Sequence, residues 1–252
     1  MIEVRNVTKR YGPKAVVDNV SVTIAKGKIT SLIGPNGAGK STLLSMISRL
    51  LACDSGEIWI DGQEIGKTKS NDLAKKISIL KQENHVSVRL TVRELVSFGR
   101  FPYAQGRLTS ADWEQVDRAI AYMELEPFQE RYLDQLSGGQ RQRAYVAMVI
   151  CQNTDYILLD EPLNNLDMKH AVQIMHVLRR LVNELGKTIV LVLHDINFAS
   201  CHSDQIVALK DGRIIRQGTT DQIIDGAALR AIYEMEIPIE VINGNRIGVY
   251  FA

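Results

Sequence analysis

At 252 residues, with 45% hydrophobic and 23% charged residues, the chain has the balance of a soluble globular protein with ample core in one or two domains. Thirty basic residues against twenty-nine acidic ones give a net charge of +1, which offers no electrostatic reason for a nucleic-acid partner. Cys53, Cys151 and Cys201 are widely spaced and form no C-x-x-C, so they read as reduced thiols and argue against a zinc site or a redox pair.

The first stretch reads as strands. MIEVRNV alternates in a strand-like way and lacks the charged and apolar regions of a signal peptide. No apolar run approaches the length of a bilayer span, so a membrane role would be exercised from outside the bilayer. Tyr11, in a polar break at Tyr11-Gly12, offers a ring face that could stack on a base; a lone tyrosine is more often a packing residue. Val20, Val22 and Ile24 alternate with Ser21, Thr23 and Ala25, and Lys26-Gly27 turns the chain into the apolar run of Ile29, Leu32 and Ile33.

GPNGAGKST, Gly34 to Thr42, follows that run and fits G-x-x-x-x-G-K-[ST]. A backbone that wraps a polyphosphate and points several N–H groups inward needs φ values that glycine reaches at low cost. The helix opening behind it adds free N–H groups and a dipole that favours anions. In such a loop Lys40 reaches the β- and γ-phosphates and the Ser41 hydroxyl ligates Mg²⁺. Leu43, Leu44, Ile47, Leu50 and Leu51 continue at helical spacing.

Glu57 to Gln63 alternates and turns at Asp61-Gly62. Ile77 to Leu80 is a short buried strand with Gln82 just past its end, where polar groups of open α/β sheets gather. From Thr91 to Cys151 the texture is helical. Thr91-x-x-Glu94 is a capping box opening Leu95, Val96 and Phe98, and Gly99 and Pro102 end that helix. After a Thr109/Ser110 cap, Trp113, Val116, Ile120 and Met123 share a core face. LSGGQRQRA, Leu136 to Ala144, sets Ser137 and two glycines before a helix carrying Tyr145, Met148 and Val149. It reads as a second anion site or, taken alone, as a plain glycine-flanked cap.

Tyr156 to Leu159 is an apolar strand ending in Asp160-Glu161-Pro162. Downstream of a phosphate loop, that is where the Mg²⁺-organising Asp stands. Asp160 then holds the metal's water shell, and Glu161 polarises the attacking water as general base. A capped helix runs from Asp167 to about Leu185 on a stripe of Ile174, Val177, Leu178 and Leu181. Thr188 to Leu193 is apolar throughout, as a parallel strand buried on both faces would be, and ends in His194-Asp195. The last part returns to strands, Gln205 to Leu209 and Arg213 to Gln217 about Asp211-Gly212, then a small helix over Ala227 to Tyr233. A final hairpin joins Glu240 to Ile242 with Arg246 to Tyr250 through Asn243-Gly244.

Phosphate loop, Gln82, LSGGQ, ILLDEP, Leu166-Asp167 and His194 occur in one order. That order resembles the ATP-binding subunits of ABC transporters over essentially the whole chain. The resemblance implies that Gly34, Pro35, Asn36, Gly37, Ala38, Gly39, Lys40, Ser41 and Thr42 form the Walker A motif. It makes Gln82 the Q-loop residue and a metal ligand with Ser41 and Asp160, Glu161 the catalytic base, and His194 the switch histidine. Ser137, Gly138, Gly139 and Gln140 become the signature motif, Leu166-Asp167 part of the D-loop, and Tyr11 the aromatic that stacks on adenine.

The implied fold is an α/β P-loop (RecA-like) ATPase core with an antiparallel β subdomain and an inserted helical subdomain. One domain spans 1–252, its core at 1–82 and 154–252 and its helical part at 83–153. The implied cofactors are ATP and Mg²⁺. The implied partners are a second copy bound head to tail, transmembrane permease subunits and, indirectly, a periplasmic or surface substrate-binding protein, with no nucleic acid. In the dimer Ser137 and Gly139 of one copy would complete the γ-phosphate site of the other, at the cytoplasmic face of the plasma membrane. Leu163-Asn164-Asn165 departs from the Thr/Ser-rich residues common after Asp-Glu-Pro, and Met148 stands where many relatives carry arginine; neither change removes a phosphate or metal ligand. SFGRFPY, DEPLNNLDMKH and HDINFA look like importers of iron-siderophore complexes, catecholate-like ones foremost. ATPases serving cobalamin or haem, and exporters with a separate ATPase, share much of the pattern. A soluble ABC protein acting on ribosomes or DNA usually carries tandem ATPase domains or long coiled coils, whereas this chain has a single phosphate loop.

Overall fold

The computed structural model describes residues 1–82, 88–104, 106–164 and 166–251; Asn165 and the start of the expected helical part lie outside the described residues. Two compact units are formed, one from Met1–Thr68 with Thr188–Ala252 and one from Lys69–Lys187.

The first unit begins with the antiparallel pair β1 (Ile2–Tyr11) and β2 (Lys14–Ile24), so that Tyr11 ends a strand at a hairpin turn, directly opposite Lys14. β3 (Ile29–Ile33) is buried at every position and feeds the phosphate loop and α1 (Lys40–Ile47). β4 (Ser55–Ile60) pairs with β1, and β5 (Gln63–Glu64) folds back on it across Asp61-Gly62. α1 is shorter than its apolar spacing predicts. Arg49 turns left-handed at φ +59°, which breaks the helix before Leu50 and leaves that side chain 53% exposed.

The second unit holds α2 (Ser70–Ala74), β6 (Ile77–Leu80), α3 (Val92–Ser97), α4 (Phe101–Ala104), α5 (Ser110–Tyr122), α6 (Gly138–Cys151), β7 (Tyr156–Asp160) and α7 (Met168–Leu185). β6 and β7 run parallel, Ile77 opposite Tyr156 through Leu80 opposite Leu159. Capping boxes open α3 (Thr91/Glu94), α5 (Thr109/Asp112) and α6 (Ser137/Gln140).

Two helical expectations need correction here. α3 does end at Ser97, just before Gly99, but Pro102 is no stop: a 3₁₀ turn at Phe98–Arg100 leads into α4, whose first turn takes Pro102 without losing a needed N–H. Gly99 serves close packing, since a Cβ there would lie 2.2 Å from the Met148 carbonyl oxygen of α6. Trp113 is the second case. Val116, Ile120 and Met123 are buried as expected, but Trp113 is 37% exposed with the Arg93 guanidinium 5.0 Å from its ring centre.

The chain then returns to the first unit through β8 (Thr188–Val192), α8 (Ile196–His202), β9 (Gln205–Lys210), β10 (Arg213–Gly218), α9 (Thr220–Ile223), α10 (Gly226–Tyr233), β11 (Ile239–Ile242) and β12 (Asn245–Gly248). β3 lies between β8 and β9 and is parallel to both, which explains why β3 and β8 carry no polar face. β10 adds antiparallel to β9. The last hairpin stops at Gly248, short of Tyr250, and is fastened to α8 by reciprocal Asn197–Gly248 bonds of 2.8 and 3.2 Å and by Ser200 on the Arg246 carbonyl. The short helices α2, α8 and α9 span too few turns for apolar periodicity to reveal them.

Candidate active site

In the first unit the phosphate loop is built against two neighbouring backbones. Gly34, Gly37 and Gly39 have φ of +139°, +77° and +96°. A Cβ on Gly34 would lie 2.0 Å from the Leu209 carbonyl oxygen, and one on Gly39 would lie 2.4 Å from that of Val16. Glycine is therefore required twice, for backbone angle and for close approach. Gly37 meets nothing within 4 Å and, with Asn36, is exposed at the loop's tip.

Gly39 is the N-cap of α1, so no side chain covers the helix's first N–H groups, and the first turn carries no acid. Lys40 is 5% exposed, and its ammonium donates to the Gly34 and Pro35 carbonyls at 2.7 and 3.0 Å. Ala38 N–H donates to the Pro35 carbonyl, and Ser41 and Thr42 are half-buried. An uncapped helix end, glycines with positive φ and an ammonium held by its own loop fit a polyphosphate. Tyr233 adds electrostatics that the sequence did not signal. Burial pushes its phenol up to about 12, offset in part by the neighbouring Gly34 amide, which stays outside hydrogen-bond geometry.

Tyr11 lies 56% exposed at the end of β1, with the Lys9 ammonium 6.0 Å from its ring centre. Asp54 accepts from the Arg10 N–H at 2.7 Å and from Lys9 Nζ at 2.7 Å, which fixes the strand just before it. His194 is exposed beyond the carboxyl end of β8. Asp195 caps α8, accepting from the Asn197 and Phe198 amides at 2.7 and 3.2 Å.

In the second unit the parallel register brings Gln82 and Glu161 together. Leu80 faces Leu159, and the same offset of 79 residues leads past both strand ends to Gln82 Nε2 and Glu161 Oε2, 2.8 Å apart. Asp160 and Glu161 are 7% and 8% exposed. The Asn164 amide also donates to Glu161 Oε2, a contact that spacing alone did not suggest. Its only sequence signal was the departure from a Thr/Ser-rich stretch.

The signature residues open α6. Ser137 Oγ accepts from the Gln140 amide at 3.2 Å, and the Gln140 side chain accepts from the Ser137 amide at 3.0 Å. Ser137 and Gly138 are exposed and the first turn has no acid, so this helix end too can meet an anion. A Cβ on Gly139 would lie 3.4 Å from His170 Nδ1, so the start of α6 packs on the start of α7. Of the residues expected to hold Mg²⁺, Gln82 and Asp160 in the second unit offer an amide oxygen and a carboxylate, and Ser41 in the first offers a hydroxyl, each a hard oxygen donor of the kind this ion prefers.

Residues 17–164 match the family described as ABC transporter. The chain is 66% identical to the petrobactin import ATP-binding protein YclP of Bacillus subtilis (strain 168), over 252 residues and the whole of both chains. The chain belongs to the ABC transporter family. As an ABC ATPase it binds and hydrolyses ATP as the energising subunit of a transporter, on the P-loop ABC fold. It is also 54% identical to the petrobactin import ATP-binding protein FatE of Bacillus anthracis, with 97% of each covered. Among solved structures it resembles a dimer of the ATP-binding cassette MJ0796 bound to ADP and Pi. The TM-score is 0.78 at 34% identity, covering 87% of this chain and 99% of that one.

Proposed function

We propose that this ABC ATPase energises import of an iron-siderophore complex of the petrobactin kind. The supporting observation is full-length identity of 66% to a protein named for petrobactin import. FatE, named for the same cargo, points the same way. The expected partners are a second copy of the chain and membrane permeases, with a substrate-binding protein delivering cargo from outside. Among the described residues no helix is long and apolar enough to cross a membrane, so permeases would provide the path and this subunit would act at the cytoplasmic face.

The site residues then divide the work between them. Lys40 and the first N–H groups of α1 hold the phosphates, and Tyr11 stacks on adenine. Ser41, Asp160 and Gln82 would hold Mg²⁺, which when bound would offset phosphate charge in the transition state. Glu161 takes the proton of the attacking water as its oxygen bonds to the γ-phosphorus, and the bond to ADP breaks. His194, exposed past the end of β8, is the switch histidine. Ser137 and Gly139 of the second copy, at an exposed helix start, meet the same phosphate. Closure of the dimer is then favoured by ATP and released by hydrolysis.

The experiment is uptake of radiolabelled ferric petrobactin by proteoliposomes holding this chain, its permeases and binding protein. ATP-dependent accumulation on the side opposite the binding protein, where the ATPase sits, supports the reading. Hydrolysis that is indifferent to every ferric siderophore, or that is stimulated by nucleic acid without permeases, would overturn it.

A further inference from the structure

Glu161 is buried in a backbone conformation that few non-glycine residues adopt. Its φ is +52°, in the left-handed region, and such conformations persist where surrounding contacts over-determine them. The contacts belong to one tight turn. The Asn164 N–H donates to the Glu161 carbonyl oxygen at 3.2 Å, and the Asn164 side-chain amide donates to Glu161 Oε2. Pro162, inside the turn, accepts at its carbonyl from Gln142 Nε2 of α6 at 3.1 Å. Gln82 Nε2 meets the same Oε2 from the end of β6.

We infer that Asn164 is a positioning residue for Glu161, a role that rests on reading Glu161 as the general base. Two amides from different parts of the unit converge on one carboxylate oxygen. Charge-assisted bonds of this kind are stronger and more directional than neutral ones, so together they set the rotation of the carboxylate. Asn164 closes the turn through backbone and side chain at once, which ties that rotation to the strained backbone carrying it. A neutral amide suits this position because it donates to the carboxylate without adding a charge beside the phosphates. Aspartate could not donate, and alanine would leave Gln82 to hold the carboxylate without Asn164's help. The departure from a Thr/Ser-rich stretch thereby gains a purpose.

The test compares the full chain with N164A, N164S and N164D, each alone and combined with E161Q. N164A is expected to lower kcat about tenfold, the effect of losing one charge-assisted bond. KM and equilibrium binding of a fluorescent ATP analogue stay unchanged. N164S, which keeps a donor, recovers part of the rate, and N164D falls below N164A. On the E161Q background N164A leaves residual hydrolysis within about twofold, as expected for groups acting as one unit. A crystal structure of nucleotide-free N164A shows the Glu161 carboxylate still on Gln82 but rotated from the orientation it has in the wild-type chain. An unchanged kcat in N164A, parallel changes in kcat and KM, or an equal loss on the E161Q background each overturn the role. If N164A melts early, the kcat and KM of N164S decide on the same terms. Hydrolysis by E161Q at the wild-type rate would remove the base assignment itself, whatever N164A does.

Discussion

Gln82 and Glu161 stand 2.8 Å apart although 79 residues separate them, because each lies just past the end of one of two parallel strands in register. Polar groups gathered at the carboxyl ends of such strands are where α/β enzymes do chemistry. Replacing Glu161 by Gln keeps the shape and removes the base. Hydrolysis is expected to fall about 10²- to 10⁴-fold while ATP binding survives. Gel filtration with ATP and Mg²⁺ should then hold E161Q as a dimer that the wild-type chain does not retain. Turnover at the wild-type rate would refute the role.

Lys40 presents a different case, a buried ammonium that its own loop carbonyls already hold in place. Lys40→Ala removes the charge without disturbing the glycines behind it. Nucleotide affinity should weaken by about 2–3 kcal/mol, roughly 30- to 150-fold, for ATP, with little change for AMP. Equilibrium binding of the two nucleotides side by side is the measurement; equal losses would show that Lys40 does not read the distal phosphates.

The glycines of the loop should not be equivalent. Gly34→Ala drives a methyl into the Leu209 carbonyl oxygen and is expected to destabilise folding by about 3 kcal/mol or more. Gly37→Ala meets open space and pays only for its left-handed φ, about 1–2 kcal/mol. Urea unfolding of both variants checks the order, and a reversed order would contradict the packing described for the loop.

Away from the nucleotide, Asp112 and Arg100 form a buried pair, 2.9 Å apart with side chains 8% and 9% exposed. The Thr109 amide and hydroxyl, with Arg100, hold the Asp112 carboxyl below its ordinary range. A depressed folded value means that its stabilisation is complete above the unfolded value, about 3.9, and is lost as pH falls through the folded one. Acid titration of stability should therefore show less loss below about pH 4 in Asp112→Asn than in the wild-type chain. Asp112→Ala strands the Arg100 charge and should cost about 3–5 kcal/mol at neutral pH. Denaturant curves across pH measure both effects.

Much of this was legible in the residues themselves. The phosphate loop, the capping box at Thr91, the helix start at Ser137, the turn at Asp61-Gly62 and the strand before Asp160 are local: neighbouring residues carry the glycine angles, cap donors and apolar runs that specify them. Long-range packing is written in no neighbouring residues. The sequence could not show that Gly99 exists for the Met148 carbonyl, or that Trp113 would lie under Arg93 instead of in the core.

The same division holds at the candidate site. By itself the sequence determined which groups are present, an ammonium, a hydroxyl, two adjacent carboxylates and a second glycine-rich helix start, because each is a short string with a chemistry of its own. Only the tertiary structure decided how Glu161 is held. Its partners depend on the register of β6 against β7 and on a turn that brings Asn164 back onto the carboxylate. Register and turn closure are won by packing many residues at once, and no short window of the chain contains that sum.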